Sequence, residues 1–216
     1  MTPYTSFLDY VLPDTPGCTN EVALLAIKST VIDFCEKSLI LQADHDPVTI
    51  VRGVVDYDLE PPRDHQVAKV MKVFYRNSPI EAVAPDDVRV ASIYNKNYPD
   101  AQPEEGPPRA YIQKDARTFS IYPHPKDTER LALTLRVALK PTRSATQCDD
   151  LIYEDYAEII GHGALTRLAL SPNKPYSNAN LAGARNVLYT AGVNLARQRA
   201  NRGYVRANTQ VRIRKI

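Results

Sequence analysis

The chain has 216 residues, 44% of them hydrophobic, enough for one medium domain or a domain carrying an insertion. No apolar run approaches the roughly 18–20 residues that span a bilayer. The opening MTPYTSFLDY lacks the basic and apolar regions of an export signal, so a soluble chain made in a cytosol, with no membrane partner, is expected.

The net charge of +2 conceals a partition. No Asp or Glu follows Glu158, whereas Arg167, Lys174, Arg185, Arg197, Arg199, Arg202, Arg206, Arg212, Arg214 and Lys215 contribute +10. The first 158 residues set 17 basic against 25 acidic side chains, a net of −8, which implies two surfaces with different partners. Cys18, Cys35 and Cys148 are far apart and form no CxxC pair, which argues for reduced thiols over a disulfide framework or a zinc site.

In chain order, residues 5–12 read as a short helix ending at Pro13, and PDTPG reads as a turn. A long amphipathic helix is expected from Asn20 as N-cap, with Val22, Leu25, Ile27, Val31, Ile32, Phe34, Cys35 and Leu39 on its apolar stripe. Beyond Asp44 the texture becomes β-branched. PVTIVRG, VVDYDL, QVAKVMKVFYRN, SPIEAV, PRAYIQKD, RTFSIYP and ERLALTLRVALKP predict six or seven strands. RTFSIYP and LALTLRVAL alternate, which predicts one buried and one wet face for each, in an antiparallel sheet or small sandwich. PDDVRVASIY reads as a short helix and NKNYPDAQPEEGPP as a Pro-rich loop.

Helical periodicity returns at about Asp150, with Leu151, Tyr156, Ile159, Ile160, Ala164, Leu165 and Leu168 on one stripe ended by Ser171 and Pro172. Ser177 is positioned to cap a last long helix that stops at Gly203. Residues 204–216 alternate apolar and basic side chains and read as an extended arm. The fold expected is α+β: an antiparallel helical bundle with a β-rich insertion and a C-terminal arm. The divisions are a helical core of residues 1–44 and 149–203, the insertion 45–148, and the arm 204–216.

Chemistry-bearing constellations point to no catalytic, cofactor-binding or metal-binding residue. Asp44, His45 and Asp46 sit where polar turn residues are ordinary and have no partner ligand at recognisable spacing. Asp149, Asp150, Glu154, Asp155 and Glu158 could suggest a hydrolase. At the start of a helix, however, acids commonly stabilise its dipole. No GxxxxGK[ST], GxGxxG, GxSxG or HExxH motif occurs, and the string of Gly161, His162 and Gly163 reads as close helix packing. Arg197, Arg199 and Arg202 suit a helix C-terminus through its dipole; alternatively they line a subunit interface or lie near DNA, touching phosphate and not sequence.

The stretch VALKPTRSATQCDDLIYEDYAEIIGHGALTRLALSPNKPYSN, with DFCEKS and PVTIVRGVVDYDLEPP before it, resembles phage head-to-tail adaptor proteins, among them tail tubular proteins of short-tailed phages. That resemblance implies a structural virion protein with no enzymatic activity. It further implies a homo-oligomeric ring of twelve copies between the portal protein and a tail nozzle or other tail protein, around a DNA channel. The residues expected to reach the portal are Tyr204, Val205, Arg206, Val211, Arg212, Ile213, Arg214, Lys215 and Ile216. The alternative carried by the charge partition is non-specific nucleic-acid binding through the basic C-terminal region.

Overall fold

The structure, a computed structural model, describes residues 1–84 and 104–203. The predicted helix over residues 85–94, most of the Pro-rich loop and the arm lie outside the described residues. The chain divides into two compact units, Met1–Leu41 with the chain from Pro141 onward, and Gln42–Lys140.

The first unit is helical. Two 3-10 turns, Tyr4–Tyr10 and Leu12–Asp14, stand where one short helix was predicted, because Pro13 enters the second turn in place of ending a helix. Three long helices follow: α1 (Asn20–Ser38), α2 (Asp150–Ala169) and α3 (Ala179–Arg202). Their common core holds Phe7, Ile27, Phe34, Ile152, Ile160 and Leu165, all essentially without solvent exposure. A two-residue antiparallel pair, β1 (Thr2–Pro3) with β9 (Gln147–Cys148), ties the chain start to the entry of α2. Each of these strands is too short to carry a periodic signal, and neither was predicted.

Local chemistry places the helix ends. Asn20 is the first helical residue, not the cap; Thr19 precedes it without a side-chain cap bond. Asp149 caps α2 by accepting from the Leu151 N–H at 2.9 Å. The cap of α3 is Asn178, which accepts from the Leu181 N–H at 3.0 Å, and not Ser177. Ser177 instead donates to the Ser171 carbonyl and accepts from the Lys174 N–H, which closes the preceding turn. Gly203 ends α3 with φ 67°, a conformation that costs glycine nothing, as expected for that position.

The second unit is a seven-stranded sheet in the order β2 (Gln42–Ile50), β8 (Glu129–Pro141), β4 (His65–Tyr75), β5 (Ser78–Ala82), β6 (Ala110–Gln113), β7 (Thr118–Tyr122) and β3 (Asp56–Asp58). The sheet is mixed and not wholly antiparallel as expected, because β5 and β6 pair in parallel. The β4–β5 hairpin turns on Arg76 and Asn77, both at positive φ, the geometry of a two-residue turn that matches strand twist. β8 alternates as predicted over Leu133, Thr134, Leu135 and Arg136. β7 does not: Phe119, Ser120 and Ile121 are all buried. Ser120 tolerates burial because its hydroxyl donates to Asp56 Oδ1 at 2.5 Å. The architecture is α+β.

Candidate interaction surfaces

Glycines set how closely the three helices approach. A Cβ at Gly163 would stand 2.4 Å from Thr30 of α1 and 2.7 Å from the Tyr189 ring of α3, and one at Gly192 would stand 2.6 Å from Ile159. Gly161 meets Tyr10 in the same way, at 2.9 Å. The packing role expected of Gly161 and Gly163 is therefore present.

The acidic run at the start of α2 serves structure. Asp150 accepts from the Met1 amine at 2.7 Å and from the Thr2 hydroxyl at 2.6 Å, and these bonds hold its carboxyl below the usual range. Asp155 pairs with Arg199 at 2.8 Å, while Glu158 lies 3.7 Å from His162. His162 is also 3.3 Å from Arg185, which pairs with Asp14 at 2.7 Å, so one polar chain links the N-terminal turns, α2 and α3. Burial, and then the Arg185 charge, push the His162 pKa down.

The three arginines at the end of α3 separate. Arg199 is held inward by Asp155 and by the Tyr156 hydroxyl at 3.2 Å. Arg197 and Arg202 are exposed, and among the described residues their guanidinium groups have no partner. The arm, Tyr204 to Ile216, lies outside the described residues.

His45 belongs to strand β2, not to a helix-to-strand turn. Its Nε2 accepts from the Glu60 N–H at 2.9 Å, so Nδ1 carries the proton that faces the Asp46 carbonyl at 2.7 Å. Both ring nitrogens are thus engaged and offer no lone pair to a metal.

Apolar side chains on the outside of the helical unit are the feature that sequence periodicity misplaced. Val22 and Leu25, expected on the buried stripe of α1, are 43% and 67% exposed. On α3 the small residues Ala182, Gly192 and Ala196 face inward with Tyr189 and Val193, while Val187, Leu188 and Leu195 face out. The seven-residue recurrence of Leu181, Leu188 and Leu195 was the available signal. A groove of about 460 Å³ opens beside Leu25, between Tyr4, Leu24, Lys28 and Arg143.

Among the described residues, α1 and α3 thus leave Val22, Leu25, Val187, Leu188 and Leu195 exposed on the outside of the helical unit. The family model of the SU10 adaptor protein matches residues 4–214, which spans both units. The chain belongs to the SU10 adaptor protein family. It is a phage adaptor, a structural protein of the virion. No curated protein matches it. Among the adaptor's described residues, no helix is long and apolar enough to cross a membrane.

Proposed function

We propose that this adaptor is one subunit of a twelve-copy ring that joins the portal to the tail and forms part of the channel through which DNA passes. The observation that carries the reading is a family match running through residue 214, into a C-terminal region with ten basic and no acidic residues after Glu158. In this reading the helical core, residues 1–44 and 149–203, carries the ring contacts. The acidic body, including the insertion 45–148, meets neighbouring copies and the tail protein below. The arm, 204–216, binds the portal.

The arm alternates Val205, Val211 and Ile213 with Arg206, Arg212 and Arg214, flanked by Tyr204, Lys215 and Ile216. That pattern suits strand addition to a sheet edge, with arginines pairing to acidic groups beside it. Fixing such a segment costs roughly 1–2 kcal/mol of backbone entropy per residue, so the partner must supply the ordering energy. Arg197 and Arg202, exposed and unpaired among the described residues, are the arginines of α3 free to face DNA phosphates or the next subunit.

The test is cosedimentation with dodecameric portal rings, comparing the full chain with one truncated after Gly203. Binding lost with the arm supports the adaptor contact and its location. Binding by neither chain sinks the portal reading and brings forward salt-sensitive, non-specific DNA binding by the basic region.

A further inference from the structure

Two outward seams on the helical unit have matching form. On α3, Leu181, Ala184, Leu188, Ala191, Leu195 and Gln198 follow the alternating three-and-four spacing of a helix-pairing seam. Leu188 and Leu195 are 49% and 65% exposed, and Ala184 and Ala191 are exposed with them. The opposite face of the same helix is already packed through Ala182, Tyr189, Gly192, Val193 and Ala196. A helix apolar on both sides has room for two partners, and among the described residues only the inner face is packed. On α1, Val22, Leu25, Ser29, Ile32 and Glu36 follow the same spacing on the face opposite Ile27, Thr30 and Phe34.

Charge selects which seam meets which. α3 carries Arg185, Arg197, Arg199 and Arg202 and no acid, so a two-fold α3–α3 contact would set like charges against each other. α1 carries Glu21, Asp33 and Glu36 against Lys28 and Lys37. Among the described residues the Glu21 carboxylate has no partner, and neither do the Arg197 and Arg202 guanidinium groups. The α1 seam from Val22 to Glu36 runs about 21 Å at 1.5 Å per residue, within the reach of the longer α3 seam. The groove of about 460 Å³ beside Leu25 gives a leucine of the incoming helix a place to enter.

We infer that the outer seam of α3 in one copy packs against the outer seam of α1 in a second copy of this chain. The inference rests on the ring reading and deepens it. The two surfaces differ, so the contact is head-to-tail: every copy offers both faces, and repetition closes into a ring or continues as a filament.

Disulfide trapping tests the pairing. Leu25→Cys and Leu188→Cys are made separately in a Cys18→Ser background, which leaves only the buried Cys35 and Cys148 as native thiols. Both leucines are exposed, so neither change opens the core. Mild oxidation of the two proteins mixed is expected to give a covalent dimer, and of either alone to give none. A chain carrying both cysteines is expected to give a ladder of higher multiples. A dimer from one variant alone, or no dimer from the mixture, overturns the pairing. Loss of the mixed cross-link on truncation after Gly203 shows that the arm, and not the two seams, holds the copies together and overturns it equally. Portal cosedimentation of the same variants separates this from the function proposed above. Portal binding without the mixed cross-link sinks the pairing alone, and the mixed cross-link without portal binding upholds the pairing and sinks the adaptor contact.

Discussion

Replacing Gly163 by Ala tests the three-helix crossing most directly. The new Cβ would lie 2.4 Å from Thr30 Cγ2 and 2.7 and 2.8 Å from the Tyr189 ring carbons. Carbon atoms settle near 3.5–4.0 Å apart, so the helices must part by about 1 Å or both neighbours must turn away. Neither is free to turn. Thr30 is β-branched inside a helix and its hydroxyl donates to the Ala26 carbonyl at 2.8 Å. Tyr189 is anchored by its hydroxyl on Asp33 Oδ2 at 2.7 Å. Alanine gains about 1 kcal/mol over glycine in helix propensity. Against it stand about 1–3 kcal/mol for overpacking and about 1.5–3 kcal/mol if the bond to the Asp33 carboxylate breaks. The balance is a loss of about 0–2 kcal/mol if that bond survives and about 1.5–5 kcal/mol if it breaks. Urea unfolding should show a lower midpoint at unchanged slope, and the melting temperature should fall by about 2–4 °C per kcal/mol. Gly183 on α3 is the control, because a Cβ there would meet nothing within 4 Å: Gly183→Ala should stabilise by up to about 1 kcal/mol. Equal gains at both sites would refute the argument that Gly163 is there for close approach.

Other consequences follow from the same geometry. His162 is harder to protonate folded than unfolded, so the unfolded chain binds more protons as pH drops below the ordinary value of 6.5. The stability that a neutral His162 provides is present above that pH and is lost on acidification; His162→Gln should flatten the decline in urea midpoint between pH 7 and 5. Cys35 is fully buried with its thiol pushed far up, and burial together with Asp149 and Asp150 pushes Cys148 up to about 12. A thiol reagent should therefore modify no more than Cys18 in the native chain and all three cysteines after denaturation. Arg199→Ala removes a half-exposed tie to Asp155 and should cost about 0.2–1 kcal/mol, whereas Arg197→Ala should leave the melting temperature unchanged. Asn178→Ala removes the cap of α3 and should cost about 0.5–2 kcal/mol.

The β-rich segment was readable because its signals are local. Runs such as QVAKVMKVFYRN and ERLALTLRVALKP became β4 and β8 within a residue or two, with the Arg76–Asn77 turn between β4 and β5. What failed depended on partners far along the chain. Ser120 looks like a wet-face residue until Asp56, 64 positions away, accepts its hydroxyl. The parallel pairing of β5 with β6 is invisible in strand composition, since direction depends on the path between them. Ser177 and Asn178 are adjacent and equally able to cap, and only the folding-back of the Ser171 carbonyl onto Ser177 decides between them. The site was legible to the same extent. Arg197, Arg199 and Arg202 share a helix end, but one inward bond from Arg199 to Asp155 makes them chemically different.

On α1 Ile27, Val31, Phe34 and Cys35 are buried as expected while Val22 and Leu25 of the same stripe are not, and on α3 no buried face was predicted from sequence. Helical periodicity reports that a face is apolar and not who covers it. On α3 a hydrophobicity count favours the face of Leu188 and Leu195, yet the bundle chose the face of Ala182, Gly192 and Ala196. Small residues win that contest because two helices can approach until backbones nearly touch, as Gly192 against Ile159 shows. The larger leucines, 49% and 65% exposed, are thereby left partly in water, where each forgoes about half of the roughly 1.5–3 kcal/mol that full burial contributes. A chain under selection for its own stability alone has no use for that arrangement on two helices at once. In the pairing inferred above such an arrangement has a use, since the unburied area on α1 and α3 would be the driving force for joining one copy to the next.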